Sequence, residues 1–225
     1  MRAASDLSPP RAHVSLRSVK DKSNIWPAVF LMISFALTRW PGLLPDNFSA
    51  AYALAFCAGV YFPRRLAWWL PLVTLLVTDM LMNALYYHVA PVSPYMLVNY
   101  ATYAAIIWMG TRLRATAPWL KLVNGSLLGA VLFYLVTNTA AWLQNPEYAR
   151  TVGGWIQALT TGIAGYPPTW MFFWKTLLST GLFTGLFAGA MKLCQKLEAD
   201  EAEEESAEDE PERQPEGAPP EESKI

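Results

Sequence analysis

Six apolar stretches separated by proline-bearing turns constrain this chain more than any other feature. They occupy residues 24–40, 48–62, 66–87, 95–111, 119–143 and 168–193, and turns such as RWPGLLPDN, FPRR, HVAPVSP and ATAPW divide them. A helix needs about 20 apolar residues to cross the hydrocarbon core of a bilayer, somewhat fewer in a small tight bundle. The pattern therefore predicts an all-α membrane protein of six transmembrane helices, with the lipid bilayer as its first partner. The second stretch is the shortest, at 15 residues, and no part of the body reads as a separate soluble domain.

Charge divides the chain unevenly. Of the 18 acidic residues, 13 lie from Glu198 onward among Pro, Gly and Ser. Such a segment is too charged and too poor in apolar side chains to build a core, so residues 198–225 are expected to form a disordered acidic tail. Residues 1–197 carry 15 Lys and Arg against five acids, which makes the net charge of -1 an average of opposites. Lys and Arg near span ends are retained in the cytoplasm. With six spans, one side collects Arg2, Arg11, Arg17, Lys20, Lys22, Arg64, Arg65, Arg112, Arg114, Lys121, Lys192 and Lys196, and the other only Arg39 and Arg150. The predicted orientation has both termini in the cytoplasm, with residues 1–23 a basic N-terminal tail and residues 24–197 the membrane domain. The polar start lacks a clean small-x-small cleavage site, so the first span reads as a retained anchor. Between the last two spans, residues 150–166 place Trp155, Leu159 and Ile163 four apart amid Gly and Thr. That spacing predicts a short amphipathic segment on the outer surface, a lid over the bundle.

The third span holds an aspartate, Asp79, in LVTDMLMN, eight residues before the outer end at Tyr87. At 1.5 Å per residue that is about 12 Å deep. Lys175 lies seven residues into the sixth span from its outer end at Pro168, at a matching depth. Either charge alone in lipid costs roughly 2.5–3.5 kcal/mol, so each is the other's expected partner, or both meet a watery cavity. Asn83 and Tyr86 follow Asp79 on one helical face, Asn99 and Tyr103 share a face of the fourth span, and Tyr134 and Asn138 one of the fifth. These polar groups gather in the outer half, which points to a pocket open to the outside. The bland alternative is an ion pair with interhelical amide hydrogen bonds that fix the bundle.

Small residues form two stripes at four-residue spacing: Ala51, Ala55 and Gly59 in the second span, and Gly181, Gly185 and Gly189 in the sixth. Each lets another helix approach closely, inside the bundle or from a partner subunit. The chain carries no phosphate-cradling GxxxxGKS/T loop, no HExxH, no GxSxG and no paired carboxylates. It therefore reads as no enzyme, with no catalytic or metal-ligating residues, no cofactor and no nucleic acid as partner. Cys57 and Cys194 lie in apolar stretches without a CxxC pairing.

Several motifs carry a resemblance: NFSAAYALAFCAGVYF (47–62), LPLVTLLVTDM (70–80), and GSLLGAVLFYLVTNTAAWL (125–143) leading into YARTVGGWIQAL (148–159). In this order they resemble an uncharacterised family of small bacterial integral membrane proteins. That family is similar in size, six-span layout and outward polar site to the S subunits of energy-coupling factor transporters, which capture vitamins or trace metals. The resemblance implies the bacterial cytoplasmic (inner) membrane, and it implies Asn47, Asp79, Asn138 and Trp142 as site positions. Lys175 departs from it, because the family carries an acidic residue near that point; the pocket here would hold a balanced pair. The first span also lacks the small-xxx-small alanine pattern by which S subunits dock. The leading expectation is a transporter-type substrate-binding subunit for a small polar or zwitterionic solute, served by a membrane-embedded coupling subunit and a separate ATPase. Its alternative is a non-transporting membrane scaffold or assembly protein with a structural ion pair.

Overall fold

The computed structural model describes residues 26–45 and 48–208. Seven helices follow in order: α1 (Trp26–Thr38), α2 (Ala51–Tyr61), α3 (Arg64–Leu85), α4 (Tyr95–Gly110), α5 (Trp119–Gln144), α6 (Val152–Leu159) and α7 (Thr169–Glu208). The described residues contain no strand, only an isolated bridge between Pro41 and Leu44. Each of the six apolar stretches contains a helix. Three helices are long and apolar enough to cross a membrane: Arg64–Leu85, Trp119–Gln144 and Thr169–Glu203. Their apolar side chains turn outward, as Leu178, Leu182 and Leu186 do along α7. An apolar surface on this scale suits lipid and not water.

The shortest span helix, α2, is the core. Its residues are buried from Ala51 to Val60 apart from a partly exposed Tyr52, and α3, α4, α5 and α7 all pack against it. Alanine and glycine at every second or third position keep it thin, so four neighbours can approach. The closest approach is to α4. A Cβ added at Gly59 would stand 2.2 Å from the Ile107 carbonyl oxygen, and one at Gly110 would stand 2.2 Å from that of Phe56. The two helices touch backbone to backbone, and the Phe56 ring fills the notch that Gly125 leaves in α5. The stripe of Ala51, Ala55 and Gly59 is thereby consumed inside the molecule and presents nothing to a partner.

The glycines of α7 behave differently from that inner stripe. A Cβ at Gly181 or Gly185 would meet nothing within 4 Å, and only Gly189 lies near another helix, beside the Trp119 ring. The buried face of α7 is instead the hydroxyl row of Thr176, Ser179, Thr180 and Thr184. Thr184 Oγ1 donates to Ser126 Oγ of α5 at 2.8 Å, both side chains fully buried. Lipid supplies no hydrogen-bond partner and little drive to bury glycine, so the hydroxyls decide which face turns inward.

One further difference from the sequence reading concerns the C-terminal end. The helix of α7 continues through the first 11 residues of the acidic segment to Glu208, so this part is helical where disorder was expected; residues 209–225, like 1–25, lie outside the described residues. Within residues 150–166 the chain forms eight residues of helix, α6. Thr151 caps it by accepting from Gly154 N–H at 3.1 Å, and Gly162, with φ of 71°, turns the chain back after it.

Candidate functional site

Arg39 follows the last residue of α1, and its guanidinium lies over the Phe35 ring, 5.7 Å from the centroid. It forms a salt bridge with Asp79 of α3. The second carboxylate oxygen of Asp79 accepts from the Tyr100 hydroxyl of α4 at 2.6 Å. One carboxylate thus joins three helices, with Arg39 and Asp79 side chains 13% and 20% exposed. Thr74 and Thr78, on the same helix, return their hydroxyls to carbonyls of Leu70 and Thr74 at 2.8 Å each, which satisfies them within α3.

The expected pairing of Asp79 with Lys175 is overturned by this geometry. Their depths match, but the Asp79 carboxylate is taken by Arg39 and Tyr100, and α3 and α7 each pack on α2. Counting residues gives height along a helix; it says nothing of rotation about the axis. Arg39 was legible only as one of two cations at the sparsely charged end, and was counted for topology. Tyr100 carried no signal beyond being a tyrosine at the right depth.

Arg39 of this cluster lines one cavity, and a second lies beyond Tyr52. The first, of about 250 Å³, is lined by Arg39, Tyr52, Tyr87 and Tyr103 with Pro41, Pro45 and Phe48 among others. The other, of about 190 Å³, is lined by Tyr52, Phe133, Thr137, Asn138 and Thr176 among others. Tyr52 is common to both. Its ring stacks on Tyr103 at 5.9 Å and meets Phe133 edge-on at 4.8 Å, while Tyr103 lies 6.2 Å from Tyr100. An unbroken run of rings therefore leads from the carboxylate to the second cavity. Tyr52 escaped the sequence reading because it sits among alanines on a helix read for its small residues.

The remaining expected positions scatter. Asn138 does line the smaller cavity, although its side-chain amide also donates to the Tyr134 carbonyl at 2.8 Å. Asn99 is close in sequence to Tyr100, and its Oδ1 is buried without a hydrogen-bond partner. Asn83 instead holds the turn after α3 by donating to the Pro91 carbonyl at 3.2 Å. Trp142 donates its indole N–H to the Ala149 carbonyl at 2.8 Å. This ties the chain leading into α6 onto α5. Trp155 of α6 does the same from the other side, donating to Thr139 Oγ1 at 3.0 Å, and the Tyr134 hydroxyl donates to the Leu159 carbonyl. Lys175 lines neither cavity; its neighbour Thr176 faces the smaller one. Asn47 lies outside the described residues.

A loss of the Tyr100 hydroxyl tests the cluster gently. Tyr100→Phe removes one charge-assisted hydrogen bond from a partly buried carboxylate, which is worth about 1.5–3 kcal/mol. The expected result is a lower midpoint of thermal unfolding, by roughly 3–12 °C for a chain of this size. An unchanged midpoint would mean that Asp79 is held by Arg39 alone.

The model of a family described as of unknown function, DUF6580, matches residues 19–202. No curated protein and no solved structure matches the chain.

Proposed function

The chain belongs to the DUF6580 family of unknown function, and for it we propose an integral membrane protein that binds a small polar solute beside the Arg39–Asp79 pair. Six helices cross the bacterial inner membrane in this reading, both termini face the cytoplasm, and the pair lies in the outer half. The chain then works as a transporter-type substrate-binding subunit. The carrying observation is that Arg39, the cation of the pair, lines a cavity of about 250 Å³ together with Tyr52, Tyr87 and Tyr103. A balanced pair beside stacked tyrosines suits a zwitterion or a planar polar ring, because the charges orient what the rings cover. Without a phosphate-binding loop of its own, the chain needs a membrane-embedded coupling subunit and a separate ATPase. The glycine strip of α7 supports such a partner, since among the described residues no atom lies within 4 Å of a Cβ placed at Gly181 or Gly185.

A second reading, a membrane scaffold with a structural ion pair, is favoured by one specific observation. Both oxygens of Asp79 already have partners, Arg39 and Tyr100.

Thermal unfolding of the detergent-purified chain against amino acids, vitamins and metal ions separates the two. A ligand at 100 times its dissociation constant stabilises the folded state by about 2.7 kcal/mol. The expected result is a raised midpoint for one compound class, weakened in Tyr52→Phe and Asn138→Ala, changes that keep the stacked ring and leave the baselines near wild type. No shift across the whole panel would leave the scaffold reading in place.

A further inference from the structure

We propose that the strongly basic end of the bundle binds the phosphate of an anionic phospholipid headgroup between Arg64 and Arg112. The α2–α3 and α4–α5 connections meet at this end, because Gly59 near the end of α2 packs on Ile107 and Gly110 near the end of α4. Between them opens a cavity of about 480 Å³, lined by Arg64, Trp68, Trp108 and Arg112 among others. It lies at the opposite end of α3 and α4 from the loops that flank the Asp79 cluster, and it is independent of the solute reading.

Three observations ask for an anion there. Neither arginine has a carboxylate partner among the described residues. The Arg112 guanidinium lies over the Trp108 ring, 4.4 Å from its centroid; this seats a planar fork without neutralising it. The first turn of α3 has no acidic side chain, and Pro63 before it makes no side-chain cap. Its leading N–H groups add partial positive charge to the same cavity.

Phosphate matches two guanidinium forks better than a diffuse chloride atmosphere does. The walls decide that it is carried by lipid. Trp68 and Trp108 are indoles of the kind that sit at headgroup level, and Trp69, 70% exposed, begins the outward apolar face of α3. A free phosphate would leave those rings uncovered, while a glycerol backbone and its esters would cover them. Basic pockets between helices at this level take anionic headgroups in just this way.

Native mass spectrometry of the full chain in mild detergent tests the site, with phosphatidylglycerol and phosphatidylcholine added in equal amounts. Wild type is expected to retain phosphatidylglycerol about thirtyfold over phosphatidylcholine, the scale set by two arginines at about 1 kcal/mol each. Arg64→Gln with Arg112→Gln brings the ratio to parity. Arg65→Gln with Arg114→Gln, an equal charge change on residues that do not line the cavity, keeps the preference. Arg112→Lys, which folds with its charge kept, lowers the ratio part of the way. On wild type alone, phosphatidylglycerol raises the unfolding midpoint above its value in phosphatidylcholine, so the test survives a variant that does not fold. Equal retention of the two lipids overturns the proposal. So does an equal loss in the control pair, which would reveal general surface charge, and so does displacement by millimolar inorganic phosphate, which would reveal a free-anion site.

Discussion

Asp79→Asn is expected to lower the unfolding midpoint of the detergent-solubilised protein by roughly 6–12 °C. Removing one partner of a buried pair costs about 3–5 kcal/mol, because it strands the other charge; the lower figure fits side chains that remain 13% and 20% exposed. Each kcal/mol moves the midpoint of a chain this long by about 2–4 °C. Arg39→Met should cost a similar amount for the converse reason. The double variant should lose less than the two singles combined, since residues in one ion pair show interaction energies of about 0.5–3 kcal/mol. Lys175→Met added to Asp79→Asn should be additive, because α2 stands between the helices that carry them. Coupling of Asp79 to Lys175, with none to Arg39, would refute the arrangement described above.

The second large effect belongs to Gly59→Ala. Its new methyl group would lie 2.2 Å from the Ile107 carbonyl oxygen and 3.0 Å from Gly110 Cα and Thr111 N. All three are backbone atoms that cannot swing aside, so α2 and α4 must part along the centre of the bundle. Overpacking of this kind costs about 1–3 kcal/mol and sometimes more, and the central place of α2 puts this site at the upper end. Gly185→Ala is the matched control. Its methyl group meets nothing within 4 Å, so the change should be neutral or stabilising by up to about 1 kcal/mol through helix propensity. Denaturant titration of both variants measures the difference, and equal losses at the two glycines would mean that the α2–α4 contact is not where the bundle is tightest.

Particular residues show how far the sequence could be read. Where helices begin and end was legible to within a few residues except at the C-terminal end of α7, because proline-bearing turns and apolar runs are local signals, whereas no such turn follows residue 193. For α3 the reading of 66–87 stands against the observed Arg64–Leu85. The depth of Asp79 was equally legible, since residue number times rise gives height. Its partner was not. Arg39 lies 40 residues away and Tyr100 lies 21 away, and both reach Asp79 only when α1 and α4 flank α3. The same distinction separates the two small-residue stripes. They look alike as text, yet one packs against α4 and the other is left open.

The sequence by itself therefore determined an all-helical chain with outward apolar surfaces, a buried carboxylate in the third apolar stretch and an excess of cations at one set of helix ends. Those properties follow from composition and spacing along single helices. Only the tertiary structure decided which charge neutralises Asp79, which face of α7 turns inward, and that Tyr52 stands between two cavities. Rotation of a helix about its axis is set by all its neighbours at once. In a lipid-like setting, where burying apolar surface distinguishes the faces weakly, hydroxyl pairs such as Thr184–Ser126 and backbone contacts such as Gly59–Ile107 make that choice.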